Sequence, residues 1–309
     1  MDYVDQIRVK PGITIGQLLE EMRKCGVLGA GRLAKAVDLT AEMFKDSDYT
    51  VFLTLAGPMI PGGLRRVIGD LIGGKYVDGV IASGANIVHD ILEALGYRHI
   101  KGTFEADDAK LRTRKIGRVG DVYVKQEAFE SLEKEVYKIL ETVPETECDK
   151  LSIRKLLYYF GTNLKDQNSI LVKASRRKIP IFCPGLFDSM VGLHIWTFTQ
   201  LRKFNVNPVA DLHELSEIVF NSKKLGAIIL GGGLPKHHIL GAAMLRDGID
   251  SAVQITLDRP EGGSLSRAPF EEAISWRKVK ARGKHVTVIG DATMIFPIMI
   301  AAALGKICG

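Results

Sequence analysis

Six short apolar runs recur along this chain, at residues 50–55, 79–82, 179–183, 227–230, 252–257 and 286–289, and none sustains a polar alternation. A strand with one face in water needs that alternation. Its absence points to strands covered on both faces, the signature of a parallel sheet with helices on either side. Helix-period segments follow the runs, so the expected fold class is α/β, a Rossmann-like doubly wound parallel sheet with helices on both faces.

Each run ends in glycine and polar residues: Gly57 to Gly63, Ser83 to Asn86, Pro184 to Ser189, Gly231 to His238, Asp258 to Ser264, and Gly290 to Thr293. In an open parallel sheet the carboxyl ends of the strands share one edge, where ligands bind. Six such clusters make room for a dinucleotide-sized ligand. The remaining periodicity predicts helices at 15–25 and 33–44, an irregular polar excursion at 97–125 with a strand at 122–124, and helices at 127–141, 153–159, 190–202 and 212–221. With no internal repeat or low-complexity linker, residues 1–309 read as a single domain in which 1–48 form an N-terminal helical extension.

Composition narrows the class. The chain has 309 residues, 46% hydrophobic and 25% charged, which is enough apolar material for a large core. Its formal charge is +6, with pI near 9.0, yet the cations are spread among acids. The densest group, Arg112, Arg114, Lys115 and Arg118, has no interleaved aromatics of the kind a single-strand binder uses, so nucleic acid is not an expected partner. Cys25, Cys148, Cys183 and Cys308 lie far apart with no C-x-x-C, which argues against a zinc knuckle or a disulfide framework and suits a reducing cytoplasm. No run approaches the roughly 18 apolar residues of a membrane span, and no basic region with an apolar run opens the chain, so a cytoplasmic protein without membrane contact is expected.

Three stretches carry chemistry. Gly29-Ala30-Gly31-Arg32-Leu33-Ala34 fits the G-x-G-x-x-A pattern, but a helix precedes it where a strand is required, and it is rejected as a phosphate loop. Gly231-Gly232-Gly233 follows a buried run and opens a helix, which suits close backbone approach to a phosphate or carboxylate and equally suits a tight strand-to-helix turn. His237 and His238 sit on the first turn of that helix, where the dipole favours neutral imidazole; only one of two adjacent histidines can face a pocket. No H-E-x-x-H or comparable spacing marks a metal site.

The third stretch runs from Phe270 to Val279. A short helix opened by Pro269 would stack Glu272 on Trp276 and set Glu271, Ser275 and Lys278 along an adjacent strip. A lysine against an indole and apolar neighbours loses hydration and becomes a nucleophilic amine able to form an imine. A solvated amphipathic helix with a core tryptophan uses the same residues. Asp188 and Asp291 stand at strand ends, where acids bind ribose hydroxyls or cap the next helix. No G-x-S-x-G elbow is present, and Ser83 and Ser189 have no partner histidine by order, so a serine hydrolase is not indicated.

Taken together, the stretch from Ile229 to His238, Glu272 to Lys278, and Gly290-Asp291-Ala292-Thr293-Met294-Ile295-Phe296-Pro297 resemble deoxyhypusine synthase in its archaeal form. Ile181 to Asp188, Arg118-Val119-Gly120 and the N-terminal helices follow in the expected order, so the resemblance covers nearly the whole chain. It implies NAD-dependent transfer of the aminobutyl group of spermidine to one lysine of the translation initiation factor 5A precursor. It also implies a homotetramer with NAD at subunit interfaces and an N-terminal segment near a neighbour's active site. By motif position Lys278 is the imine-forming lysine and His237 assists amine oxidation. Trp276 and Glu272 are amine-pocket residues, and Ser264 in the adjoining loop is placed with them. Asp188, Gly232, Ser266, Asp291 and Ala292 are NAD contacts; the strand-end clusters add Gly57, Ser83, Gly231 and Asp258.

The chain departs from the family pattern at Leu193 and Leu265, where better-known members carry aspartates facing the cationic amine, and at Arg277, where glycine is usual. Asp258, Glu261 and Glu271 are candidate replacements. Two other readings share these residues: a homospermidine-synthase-like transfer to putrescine, and an NAD-binding regulatory paralogue without turnover. Keeping Lys278, His237 and Trp276 together argues against the latter.

Overall fold

In a computed structural model, which describes residues 2–308, nine strands run in chain order: β1 (Tyr49–Leu55), β2 (Gly79–Ala82), β3 (Ile100–Lys101), β4 (Ile116–Val119), β5 (Val122–Lys125), β6 (Ile181–Phe182), β7 (Lys224–Leu230), β8 (Ile249–Thr256) and β9 (Val279–Ile289). The α-helices are α1 (Ile15–Cys25), α2 (Leu28–Lys45), α3 (Arg65–Gly73), α4 (Gly84–Ala94), α5 (Asp108–Thr113), α6 (Glu127–Leu140), α7 (Ile153–Asn163), α8 (Ile170–Arg177), α9 (Met190–Thr199), α10 (Val209–Asn221), α11 (Gly233–Ala243), α12 (Phe270–Ser275) and α13 (Ala292–Cys308). The chain forms two compact units, Met1–Leu55 with Leu215–Gly309, and Ala56–Glu214. The α/β class with parallel strands is borne out.

In the first unit β1, β7, β8 and β9 are parallel neighbours in that order. Their registers align Leu55 with Leu230, Leu230 with Ile255, and Thr256 with Ile289, so the carboxyl ends finish level at one edge. β1, β7 and β8 are buried almost throughout, which is why no alternation shows in their sequences. β9 pairs only with β8 among these four and mixes buried with exposed positions; Lys280 and Lys284 on it bond Asp250 and Glu42. Those charges concealed its first half, so the expected 286–289 lengthens to Val279–Ile289.

α2 packs against β9 and α13, and buries Ala34, Ala36, Val37, Leu39, Thr40, Ala41 and Met43. It starts at Leu28, ahead of the expected residue 33, so the rejected Gly29-Ala30-Gly31 pattern lies inside a helix. Gly31 is glycine for packing: a Cβ there would stand 2.3 Å from the Gly26 carbonyl oxygen, where the left-handed end of α1 passes. Neither α1 nor α2 is preceded by a strand, and the physical ground for rejecting the motif holds.

In the second unit β2 and β6 are parallel, and β3, β5 and β4 form a small antiparallel sheet where a single strand at 122–124 was expected in an irregular 97–125 excursion. Its interior holds a charge cluster. The fully buried Asp90 carboxylate accepts from Arg65 Nε (2.7 Å), Ser169 Oγ (2.6 Å) and the Ile170 and Leu171 amides, while Arg65 Nη1 donates to Asp166 (2.7 Å). Every carboxylate lone pair thus has a donor, the condition under which a buried charge is tolerated. Among the described residues, no helix is long and apolar enough to cross a membrane, and no group of three or more His, Cys, Asp or Glu side chains is placed to hold a metal ion.

Candidate active site

The site in the first unit grows from the turn after β7. Gly231 and Gly233 take φ of 73° and 52°, the left-handed region where glycine avoids the Cβ clash. Gly232 is extended, and its requirement is space: a Cβ there would lie 2.3 Å from Ser266 Cα. Ser266 Oγ accepts from the Gly233 amide at 3.0 Å, so the glycine turn and the 258–269 loop are held together through the serine hydroxyl. The close approach that the sequence reserved for a ligand is in part taken up by the chain itself.

Gln254, fully buried on β8, organises the lock. Its Nε2 donates to the carbonyls of Gly231 (2.7 Å) and Ser266, and its Oε1 accepts from Lys236 Nζ (3.0 Å), which also donates to the Ala268 carbonyl (2.8 Å). Burial first, then the Arg267 cation, push the Lys236 ammonium down to about 8. Sequence reasoning missed both residues, although signals existed. A buried amide within an apolar run demands partners, and Lys236 falls in step with Ile239, Leu240 and Ala243 on the buried face of α11.

A cavity of about 220 Å³ opens beside this lock, lined by Lys236, His237, Leu240, Leu265, Ala268, Glu272, Ala273, Trp276 and Lys278. Four expected residues meet there: His237, Glu272, Trp276 and Lys278. The helical strip drawn through Lys278 needs correction. α12 ends at Ser275, Trp276 caps it, Arg277 turns left-handed at φ 54°, and the Lys278 carbonyl accepts from Ile249 at the start of β8. Lys278 therefore leaves the helix and enters the sheet, since the left-handed turn breaks the helical repeat. Trp276 is 60% exposed and is not core; its ring flanks the Lys278 amine at 5.7 Å from Nζ to centroid.

His237 is held below the ordinary histidine value, by burial first and then by the Lys278 cation, so neutral imidazole is its resting form near pH 7. His238 does not line the cavity; burial and then His237 lower it to about 4. Ser264 does not line it either, and its carbonyl accepts from the Arg267 and Ala268 amides.

The remaining residues divide between the units. In the first, Asp291 Oδ1 accepts from the Thr293 amide and hydroxyl (2.6 Å each), Ala292 opens α13, and no hydrogen bond or ion pair among the described residues engages the Asp258 carboxylate. A Cβ at Gly262 or Gly263 would meet nothing within 4 Å. These strand-end carboxylates beside open backbone fit ribose hydroxyls and a dinucleotide's close approach. In the second unit Asn86 Nδ2 donates to the Gly57 carbonyl and to Ser83 Oγ (2.9 Å each). A Cβ on Gly84 would stand 2.6 Å from Ser189 Cβ, so the Ser83 turn abuts Asp188-Ser189. Ser189, not Asp188, caps α9.

Parallel strands with glycine and acid turns at their carboxyl ends, beside a cavity lined by lysines, a histidine and a carboxylate, define an α/β protein with a site at the strand ends. The sequence matches the family described as "DS: Deoxyhypusine synthase" over residues 17–303. It is 46% identical to a "Probable deoxyhypusine synthase" of Methanothermobacter thermautotrophicus over 98% of both chains, and 42% identical to one of Methanopyrus kandleri over the same shares. A crystal structure described as a deoxyhypusine synthase candidate of Entamoeba histolytica superposes with a TM-score of 0.70 at 21% identity, covering 95% of this chain and 94% of that one, a likeness of fold. The chain belongs to the deoxyhypusine synthase family, transferases of the hypusine pathway that move an aminobutyl group.

Proposed function

We propose that this protein transfers the aminobutyl group of spermidine to a lysine of the translation initiation factor 5A precursor, with Lys278 as the covalent carrier. The convergence of Lys278, His237, Glu272 and Trp276 on one cavity supports the reading most directly. A bound NAD would supply the hydride acceptor at the start and the hydride donor at the end, and in the first unit Gly231, Gly232, Asp258, Ser266, Asp291 and Ala292 are the residues that would hold it.

Glu272 pairs with the primary ammonium of the donor and the Trp276 face flanks its carbon chain. As the carbon next to the secondary nitrogen loses hydride, neutral His237 takes the nitrogen's proton, leaving a carbon–nitrogen double bond. The Lys278 amine adds to that carbon and 1,3-diaminopropane leaves, which forms the Lys278 imine. The acceptor lysine then displaces Lys278, and hydride with one proton reduces the new imine to a secondary amine. Spermidine and protein lysine become deoxyhypusine and 1,3-diaminopropane, with no net oxidation.

The acting form is a cytoplasmic homotetramer in which residues 1–48 lie near a neighbour's site, with no metal required. Incubation with NAD and labelled spermidine, with either factor 5A precursor or putrescine present, tests the transfer. Label should reach the protein, and borohydride should trap an aminobutyl adduct on the peptide containing Lys278. Label on putrescine alone would reassign the acceptor; an adduct on another lysine, or transfer by Lys278→Arg, would overturn the assignment. Chelator should change nothing, and light scattering that reports a monomer would refute the assembly.

A further inference from the structure

The cavity carries one carboxylate for at least two cations. Glu272 is its only acid, while Lys236 and Lys278 both line it, and the buried Arg267 lies close enough to depress Lys236. Lys236 is committed to Gln254 and the Ala268 carbonyl, so it cannot swing away. The rest of the wall is hydrocarbon: Leu240, Leu265, Ala268, Ala273 and the Trp276 ring. The acids proposed from sequence as substitutes do not line it, although Asp258 stands near enough to favour the Lys236 ammonium. Glu271 is exposed and points toward His285 at 3.8 Å, and neither Asp258 nor Glu261 lines the cavity. At about 220 Å³ the space is below the range of about 300–1,000 Å³ typical of pockets that enclose a whole ligand.

Resting on the transfer reading above, we infer that this site reads only the four-carbon amine arm of its donor, so that putrescines N-substituted with an uncharged alkyl group serve as well as spermidine, and that Leu265 sets this tolerance. One ammonium pairs with Glu272 and the methylenes lie on Leu265 and its apolar neighbours. A second ammonium in the cavity would meet cations and a leucine, with no counter-charge to hold it. The far end of the donor is therefore left outside and unread, whatever its charge.

The probe is N-butyl-1,4-diaminobutane, which is spermidine with its distal ammonium replaced by methyl. Two readouts are taken in the presence of NAD: calorimetric binding of each amine, and the borohydride-trapped Lys278 adduct with the released amine, butylamine or 1,3-diaminopropane. Wild type should bind and use both donors within about a factor of three. Leu265→Asp, which adds a carboxylate on the wall, should shift the preference toward spermidine by about tenfold or more, the worth of one charge-assisted contact. Leu265→Asn controls for polarity without charge and should leave the ratio near that of wild type. A wild type that takes spermidine but rejects the butyl analogue, or a Leu265→Asp variant with an unchanged ratio, overturns the inference. If both amines bind equally and neither donates, the transfer reading falls while the recognition inference stands; if neither binds, both fall.

Discussion

Replacing Lys236 by methionine separates the cost of a buried ammonium from the value of its hydrogen bonds, because only the first depends on pH. Burial and the neighbouring Arg267 bring this amine from an ordinary 10.5 down to about 8. Below pH 8 both native and unfolded chains hold the proton, and the native state carries the whole penalty, on the order of 3 kcal/mol at about 1.4 kcal/mol per pKa unit. Between pH 8 and 10.5 the native chain has released a proton that the unfolded chain keeps, so stability rises with pH by about 1.4 kcal/mol per pH unit. Above 10.5 the penalty has gone. Methionine has nearly the same reach and no charge, so Lys236→Met lacks this rise. It also leaves Gln254 Oε1 and the Ala268 carbonyl without a donor, about 1–3 kcal/mol for each group but constant across the range. Urea unfolding of both proteins from pH 7 to 10.5, at one protomer concentration, gives the difference in stability at each pH, and other titrations cancel in it. Wild type should gain on the variant by on the order of 3 kcal/mol across that window. Stabilities that stay parallel within about 0.5 kcal/mol would refute the reasoning, since Lys236 would then titrate like a solvated lysine.

The His237 imidazole should titrate below 6.5 by NMR and move upward in Lys278→Ala, because the lysine cation is one of its two depressing causes; a midpoint at or above 6.5 contradicts the neutral-base role. The acid limb of the transfer rate should accordingly fall below pH 6.5. Arg277→Gly should raise stability by about 1 kcal/mol, as the left-handed φ of 54° strains any residue with a Cβ. The lost Asp247 pair, 4.0 Å long and exposed, is worth little, so an unchanged or lowered melting temperature would count against strain at this turn. Asp90→Asn should cost about 3–5 kcal/mol in urea, because the buried amide offers Arg65 Nε and Ser169 no charge and leaves Arg65 with Asp166 and Glu93 at its other nitrogen; a loss under about 1 kcal/mol would mean that the cluster is not held by that carboxylate.

The strands were legible because burial on both faces writes itself into sequence as continuous apolar runs, and β1, β2 and β7 follow the expected bounds closely at their carboxyl ends. β9 was half hidden, since an outer strand tolerates Lys280, Arg282 and Lys284. The gathering of His237, Glu272, Trp276 and Lys278 was approached through motif order, but the route through helical spacing failed at Arg277, where a left-handed residue without glycine gives no composition cue. Lys236 and Gln254 were invisible as a pair because β8 brings them together across 18 positions of sequence. The Arg65–Asp90–Ser169 cluster is assembled in the same way from distant segments. Local periodicity reports which face is buried; it does not report which buried polar groups satisfy one another.

The closeness of Ser266 to Gly232, where a Cβ would stand 2.3 Å from Ser266 Cα, separates two kinds of variation. The path of the 258–269 loop is pinned to the glycine turn, so no change of backbone there is compatible with any residue but glycine at 232. Side chains projecting from the pinned loop are under no such restraint. Position 265 can therefore exchange a hydrocarbon for a charge while Ser266, one residue on, keeps its grip on the turn. Lineages, or an experimenter, can change that side chain without disturbing the turn that Ser266 holds.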